Sequence, residues 1–345
     1  MKIRYVIPAF LSFAVGEPRS LSSQQPRTPI TIDSVRTHGT QADLGALISG
    51  ALASDGTIYV LDYEQARVVS LTNDGRLQWQ AGRKGAQPGE FQLPYRITVR
   101  PDGALAVFDR GTNAISTFSS EGQFLGRATL PTRFFQLDNL VITDHGEVVT
   151  SGTIATEGVQ DKHGIHVYKY VGSVLEPVRS FAPLPVVRDP IVYRFWGAGS
   201  LAISRDGSLL YVRRLPYEIY HYDPSGRQHG VLRPPFQLKG FPDDQFRITR
   251  DDIGVTFSIT DTVIERPGSL CELPDRSIVV NRTARGTKYW DLFSKKGGYA
   301  GSIAIPITWG PILGCDRTSN IIWLTGVHGE KSVVLQVFVS TGVDQ

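Results

Sequence analysis

The sequence predicts an all-β fold assembled from repeated four-stranded meanders, and three observations carry that prediction. Val, Ile, Tyr, Phe and Thr recur in short runs cut by Asp-Gly or Glu-Gly turns, the pattern of successive hairpins. Stretches with helical periodicity are scarce. A unit of strand, turn, strand, loop, strand, turn and strand returns along the chain, and such repeats set the architecture when they are present. With 345 residues, 41% of them hydrophobic, the chain can bury a substantial core.

Residues 1–16, MKIRYVIPAFLSFAVG, place Lys2 and Arg4 before an apolar run from Tyr5 to Val15, with small Ala14 and Gly16 ahead of Glu17. That pattern predicts a secretory signal peptide, and hence a secreted or periplasmic protein. A buried N-terminal strand is the competing reading, because Pro8 interrupts the run. Residues 17–29 read as a flexible leader and 30–345 as one domain. The apolar run is too brief for a membrane span, which needs about 20 residues.

The clearest repeat covers residues 82–126, GRKGAQPGEFQLPYRITVRPDGALAVFDRGTNAISTFSSEGQFLG. Its G-x-x-G-x-x-P-G-E-F string, Pro94, PDG turn, Asp109, Asn113 and Phe118-x-x-x-Gly122 resemble an NHL repeat. That family closes its repeats into six-bladed β-propellers, so the resemblance implies a six-bladed β-propeller of four-stranded antiparallel blades. The other units match by pattern at about 45–82, 133–181, 197–233, 267–305 and 309–341. Their first turns are anchored at Asp55, Asp102, His145, Asp206, Asp275 and Ser319, at intervals of 47, 43, 61, 69 and 44 residues. The last unit runs out near Ser340. Residues 30–37, ITIDSVRT, are therefore assigned as its outer strand, so that an N-terminal strand closes the ring and removes a free sheet edge.

Strand parity puts the Asp-Gly and Glu-Gly turns at one end of the ring and the irregular loops at the other. Both long insertions, 171–198 and 228–266, fall at the irregular end, and DDQFRITRDDIG within the second reads as a short helix. Long loops in a compact fold more often serve function than not. A ligand site is expected there, near the central channel.

Seven residues past each anchor stand Asp62, Asp109, Gly152, Arg213, Arg282 and Gly326. The aspartates suit a local task, accepting loop N–H groups. Arg213 and Arg282 break the pattern and, with Arg214, Arg285 and Lys288, form a basic sector that Arg96 and Arg110 extend, against Glu218 alone. Arginine forks suit carboxylate, sulfate or phosphate, so an anionic ligand is expected. The competing reading pairs these cations with Asp243, Asp244, Asp251 and Asp252 of the insertion.

The sequence points to no catalytic residue, no cofactor and no metal. Propeller lactonases and amidating lyases hold a metal on the channel, but six residues before each anchor this chain has Ser49, Arg96, Asn139, Ser200, Ser269 and Leu313, of which only Asn139 is ligand-like. His163 and His166 with His328 make a weak alternative set. There is no G-x-S-x-G elbow or phosphate loop. Cys271 and Cys315 occupy equivalent inner-strand positions in neighbouring units, as a disulfide or as two buried thiols. Net charge of +3, with Asp62, Glu64, Glu157 and Asp161 on the loop face, argues against nucleic acid. The expectation is a monomeric, exported binding scaffold for a protein, peptide or glycan. The alternative is a metal-dependent hydrolase or lyase of propeller type.

Overall fold

A computed structural model describes residues 29–39, 42–154, 162–183, 199–214, 216–238, 246–251, 254–259 and 266–342. The signal expected over 1–16 and nearly all of the leader lie outside the described residues, as do Glu157, Asp161, Asp243, Asp244 and Asp252. After β1 (Ile30–His38) the chain forms antiparallel meanders. The first comprises β2 (Leu47–Leu52), β3 (Ile58–Asp62), β4 (Arg67–Leu71) and β5 (Leu77–Ala81). The second comprises β6 (Pro94–Val99), β7 (Leu105–Asp109), β8 (Ala114–Phe118) and β9 (Phe124–Thr129), and the third β10 (Phe134–Ile142), β11 (Val148–Ile154), β12 (Lys162–Val171) and β13 (Val174–Phe181). In the fourth are β14 (Ser200–Ile203), β15 (Leu209–Arg213), β16 (Glu218–Tyr222) and β17 (Gln228–Leu232). A hairpin of β18 (Phe246–Asp251) and β19 (Gly254–Ile259) precedes β20 (Arg266–Glu272), β21 (Ile278–Ala284), β22 (Thr287–Phe293) and β23 (Tyr299–Ile305). The last strands are β24 (Trp309–Cys315), β25 (Ile321–His328) and β26 (Lys331–Thr341).

The sheets are not all separate four-stranded units. Val174 of β13 bridges Thr129 of β9 in parallel, and this single pairing fuses the second and third meanders into one eight-stranded sheet. The amide of Thr129 donates to the carbonyl of Ser173 at 2.9 Å at this join. Strand β1 pairs antiparallel with β26 from Ile30 opposite Thr341 to His38 opposite Val334, with a bulge at Asp33. The N-terminal strand thus covers an edge that β26 would otherwise expose.

Two expectations about the insertions need correction. Residues 174–181 are the outer strand of the third meander, so the first insertion begins later than position 171. The segment expected to be a short helix is the β18–β19 hairpin, Phe246 opposite Ile259 through Asp251 opposite Gly254. Apolar residues recur at every second position, Phe246 and Ile248 in one run and Val255, Phe257 and Ile259 in the other, which a two-residue period fits and a helical one does not.

Burial follows position within each meander. Strands β3 (IYVLD) and β7 (LAVFD) are buried throughout, as expected of strands covered on both faces, whereas every residue of β5 on the outside is exposed or half-buried. The core lies between meanders. Tyr59, Leu61 and Val68 pack on Phe91, Ile97 and Val107, and Val149, Ile165 and Val167 pack on Leu209, Tyr211 and Tyr222. Val69 and Leu71 meet Trp323 and Val334, which joins the first meander to the last. The inner strands β2, β6, β10, β14, β20 and β24 succeed one another around a channel, each touching the next and β24 touching β2. No helix among the described residues is long and apolar enough to cross a membrane.

Candidate functional site

The channel has a volume of about 870 Å³ and is lined from one end to the other by the inner strands. Residues six before each turn anchor, Ser49, Arg96, Asn139, Ser200, Ser269 and Leu313, all line it. Their side chains hold neighbouring inner strands together. Ser49 Oγ accepts from the Ile97 amide (3.2 Å) and Ser269 Oγ from the Ile312 amide (2.6 Å). Arg96 Nε donates to the Asp138 carbonyl at 2.6 Å. Asn139 Nδ2 donates to Ser200 Oγ at 2.8 Å and to the Leu201 carbonyl at 2.9 Å. Inner strands of adjacent meanders share no backbone ladder, so side chains at this position supply the cross-links.

This donor set does not fit a divalent cation, because its oxygens and amide are already engaged between strands and Leu313 is apolar. Among the described residues no group of three or more His, Cys, Asp or Glu could hold a metal ion. The histidine set fails on geometry as well. His163 and His166 sit three residues apart on β12, where alternation sends them to opposite faces. His166 is buried, its ring nitrogens at 2.9 Å from Ser180 Oγ and 3.2 Å from the Gly152 carbonyl, and His328 stands exposed at the end of β25.

Asp62 and Asp109 perform the local task expected of them. Asp109 accepts amides of Gln92 (2.8 Å), Leu93 (2.8 Å) and Gly111 (2.9 Å), tying the loop before β6 to the β7–β8 loop at the same end of the meander. Asp62 accepts from Gly45 at 3.1 Å, Gln65 at 3.2 Å and Arg67 Nε at 3.2 Å. The glycine-rich loop before β6 is shaped by packing. Gly82 adopts φ +93°, and a Cβ there would meet Phe91 at 2.4 Å.

The seven expected cations do not act as one sector. Arg96, Arg214 and Lys288 line the channel, with Lys288 Nζ donating to the Trp309 carbonyl. Arg110 is exposed in the β7–β8 loop, and Arg285 is exposed in the β21–β22 turn at φ +49°. Arg282 departs furthest from the expectation. Only 7% exposed, it donates from Nε to Asp291 Oδ2 at 2.6 Å and from Nη2 to Oδ1 at 3.0 Å. Its guanidinium lies between the rings of Phe236 (4.9 Å) and Tyr289 (4.5 Å), and Tyr217 donates its hydroxyl to the same carboxylate at 2.9 Å. The guanidinium is therefore committed within the fold. Its partner was invisible to a motif reading because Asp291 lies on the neighbouring strand β22, which only the pairing register brings alongside.

Arg213 and Arg214 stand differently. Glu218, opposite Arg213 in register, takes its closest charged bond from Arg233 Nε at 2.7 Å. Arg213 lies over the Tyr220 ring at 4.5 Å. The Nε atoms of Arg213 and Arg214, the Tyr211 hydroxyl and His163 Nε2 are buried with no hydrogen-bond partner among the described residues. Burial, then the charges of His166, Arg214 and Arg213, hold His163 down to about 3, so its ring is neutral at physiological pH. Burial pushes the Tyr211 hydroxyl up.

Cys271 of β20 and Cys315 of β24 both line the channel. Their sulfurs are bonded, with Cα atoms 5.6 Å apart, across the 44-residue interval between two inner strands.

No family model matches the chain. Over 75 residues, 21% of its length, it is 32% identical to NHL repeat-containing protein 3 of Homo sapiens and 31% identical to the Mus musculus protein. The chain spans about a fifth (22%) of the length of those curated relatives. Among solved structures it is similar to a streptogramin B lyase, with a TM-score of 0.52 and 12% identity over 88% of this chain and 97% of that one. It is also similar to a gluconolactonase from Xanthomonas campestris, with a TM-score of 0.51 and 16% identity over 90% of this chain and 96% of that one. At such identities the likeness shows the fold, a β-propeller.

Proposed function

We propose that the chain is an exported, six-bladed, NHL-like β-propeller that serves as a binding scaffold. Its ligand, an anionic protein segment, peptide or glycan, is taken at the loop-rich mouth of the channel. The observation that carries this reading is a set of cations on the channel wall: Arg96, Arg214 and Lys288 all line it. A six-blade count draws support from the succession of inner strands around the channel, with β1 completing the last blade. Export draws support from the disulfide between Cys271 and Cys315, a bond that persists in oxidising compartments.

A lyase or lactonase reading has the names of two structural neighbours in its favour. Fold alone transfers no chemistry, and the inner-strand residues of this chain are engaged as cross-links between strands. The test is an array of acidic and neutral peptides and glycans probed with the oxidised protein. Retention confined to acidic members, weakened by salt and lost in Arg214→Glu and Lys288→Glu, is the expected result. Retention of neutral members only, or retention unchanged in both variants, refutes the reading.

A further inference from the structure

The third and fourth meanders face each other through a set of residues fixed by strand parity. On β12, His163, Ile165 and Val167 share one face; on β15, Leu209, Tyr211 and Arg213 share another. Ile165, Val167, Leu209 and Tyr211 belong to one apolar cluster, so these two faces are packed together. Continuing both strands toward the loop-rich end brings His163 and Arg213 to the top of the same interface, with Arg214 following into the channel. The floor is closed by close backbone contacts. Ser151 Oγ donates to the Gly199 carbonyl at 3.0 Å, and a Cβ at Gly199 would meet Tyr211 Cε2 at 2.6 Å.

This wedge gathers polar atoms that the fold leaves unmatched. Tyr211 is 0% exposed and its hydroxyl has no partner among the described residues; the Nε atoms of Arg213 and Arg214 and Nε2 of His163 are in the same condition. In the meander that follows, the same slot finds its acceptor within the fold, where Asp291 serves both Arg282 and Tyr217. A buried donor without an acceptor is costly, and an arginine offers only donors. The acceptor that answers several donors at once is an oxyanion. The carboxylates near this wedge are Asp138 on β10 and Glu218 on β16, and the cations are Arg213, Arg214 and the Arg233 that bonds Glu218; a neutral His163 adds no charge, so the cations are in excess by one.

We propose that the wedge between the third and fourth meanders binds the oxyanion of a ligand, a carboxylate or a phosphate, with Arg213 and Arg214 as charged donors and Tyr211 as a neutral one. His163, whose Nδ1 lies 2.6 Å from Thr153 Oγ1, is held so that Nε2 faces the bound group. The inference rests on the reading of the loop-rich mouth as the ligand site and narrows that site to one interface.

The experiment titrates the oxidised full chain with sodium succinate and, separately, with inorganic phosphate, against sodium chloride of equal ionic strength. Binding is read by calorimetry and by the thermal midpoint. The expected result is saturable binding of one or both oxyanions, with the succinate and phosphate arms identifying which group is preferred. Arg213→Gln and Arg214→Gln each weaken it by about tenfold or more, as loss of a charge-assisted bond requires, and Tyr211→Phe weakens it less. Arg214→Lys, which keeps the charge and loses the fork, falls between Arg214→Gln and the parent. Should Arg213→Gln fail to fold, Arg214→Gln and Arg214→Lys carry the test. Binding that survives both glutamine variants but is lost in Arg96→Gln with Lys288→Gln overturns the wedge and leaves the channel-mouth reading standing. An oxyanion response no larger than that to chloride overturns the proposal.

Discussion

Replacing Asp291 by Asn should be among the most damaging single substitutions in this chain. The carboxylate is fully buried and accepts both donors of the Arg282 fork and the Tyr217 hydroxyl. An Asn side chain keeps one oxygen in place of two and carries no charge, so Arg282 is left buried with its positive charge uncompensated. Breaking a buried pair from one side costs about 3–5 kcal/mol, and the lost acceptor for Tyr217 adds roughly 1 kcal/mol. Against a typical folding stability of about 5–15 kcal/mol that is a large fraction. Guanidinium unfolding of the oxidised protein, followed by tryptophan fluorescence, gives the difference directly, since Trp290 is buried beside Asp291. A triple variant, Arg282→Met with Asp291→Leu and Tyr217→Phe, removes every polar partner together. It should recover most of the loss, because an apolar replacement of similar volume avoids the desolvation cost. If Asp291→Asn costs under about 1 kcal/mol, or the triple variant is less stable than Asp291→Asn, the pair is not the clasp described here.

Four further outcomes are expected. Reducing the Cys271–Cys315 bond, or replacing both cysteines by Ala, should cost about 4 kcal/mol for a closed loop of 44 residues, read as the shift in denaturant midpoint with and without reductant. Ile30→Ala should cost about 2–5 kcal/mol in the same assay, because the side chain is fully buried against the last two meanders; a loss below 1 kcal/mol would mean that β1 contributes little to closure. His163 titrates near 3 when folded, so the unfolded chain binds the extra proton between pH 3 and its ordinary value near 6.5. Stability should therefore fall as pH drops through that window, by at most about 1.4 kcal/mol per pH unit, and His163→Gln should flatten the slope. Glu147 is paired with both Nη atoms of Arg179 at 2.8 and 2.7 Å, which holds its carboxyl below the usual carboxylate range; its contribution is present above the unfolded value near 4.3 and is lost as pH falls through the lowered folded value. The pair is half-buried, so Glu147→Gln should remove no more than about 1 kcal/mol from the acid limb.

Features repeating at short range were legible in the sequence. The turn anchors placed the inner strands, and positions six and four before them, from Ser49 and Ala51 to Leu313 and Cys315, line the channel. Closure by residues 30–37 followed from a missing outer strand, and β1 pairs with β26. What escaped was set by contacts across the repeat. Arg282 and Arg213 occupy the same slot, yet one meets an aspartate on the next strand and the other does not, a difference that depends on a single residue of β22. The inner-strand Ser and Asn residues looked like failed metal ligands because their bonds to neighbouring meanders cannot be seen within one repeat. The β18–β19 hairpin escapes a composition reading because each alternating run is only six residues long and the charges around Asp251 interrupt the two-residue period.

The pairing of β1 with β26 has a consequence for how the molecule comes into being. His38 and Gln336, 298 residues apart, meet by a side-chain hydrogen bond of 3.1 Å, so β1 waits unpaired until β26 has been made. Until then each meander can form in order from local hairpins while both ends of the array stay open, and the final step joins the most distant partners in the chain. During that interval the unmated edge of β26 is open to β1 of another copy, which competes with the tethered strand when copies are concentrated. Slow synthesis or crowded refolding should therefore yield exchanged dimers, each ring locked by its neighbour's first strand, before it yields unfolded aggregate.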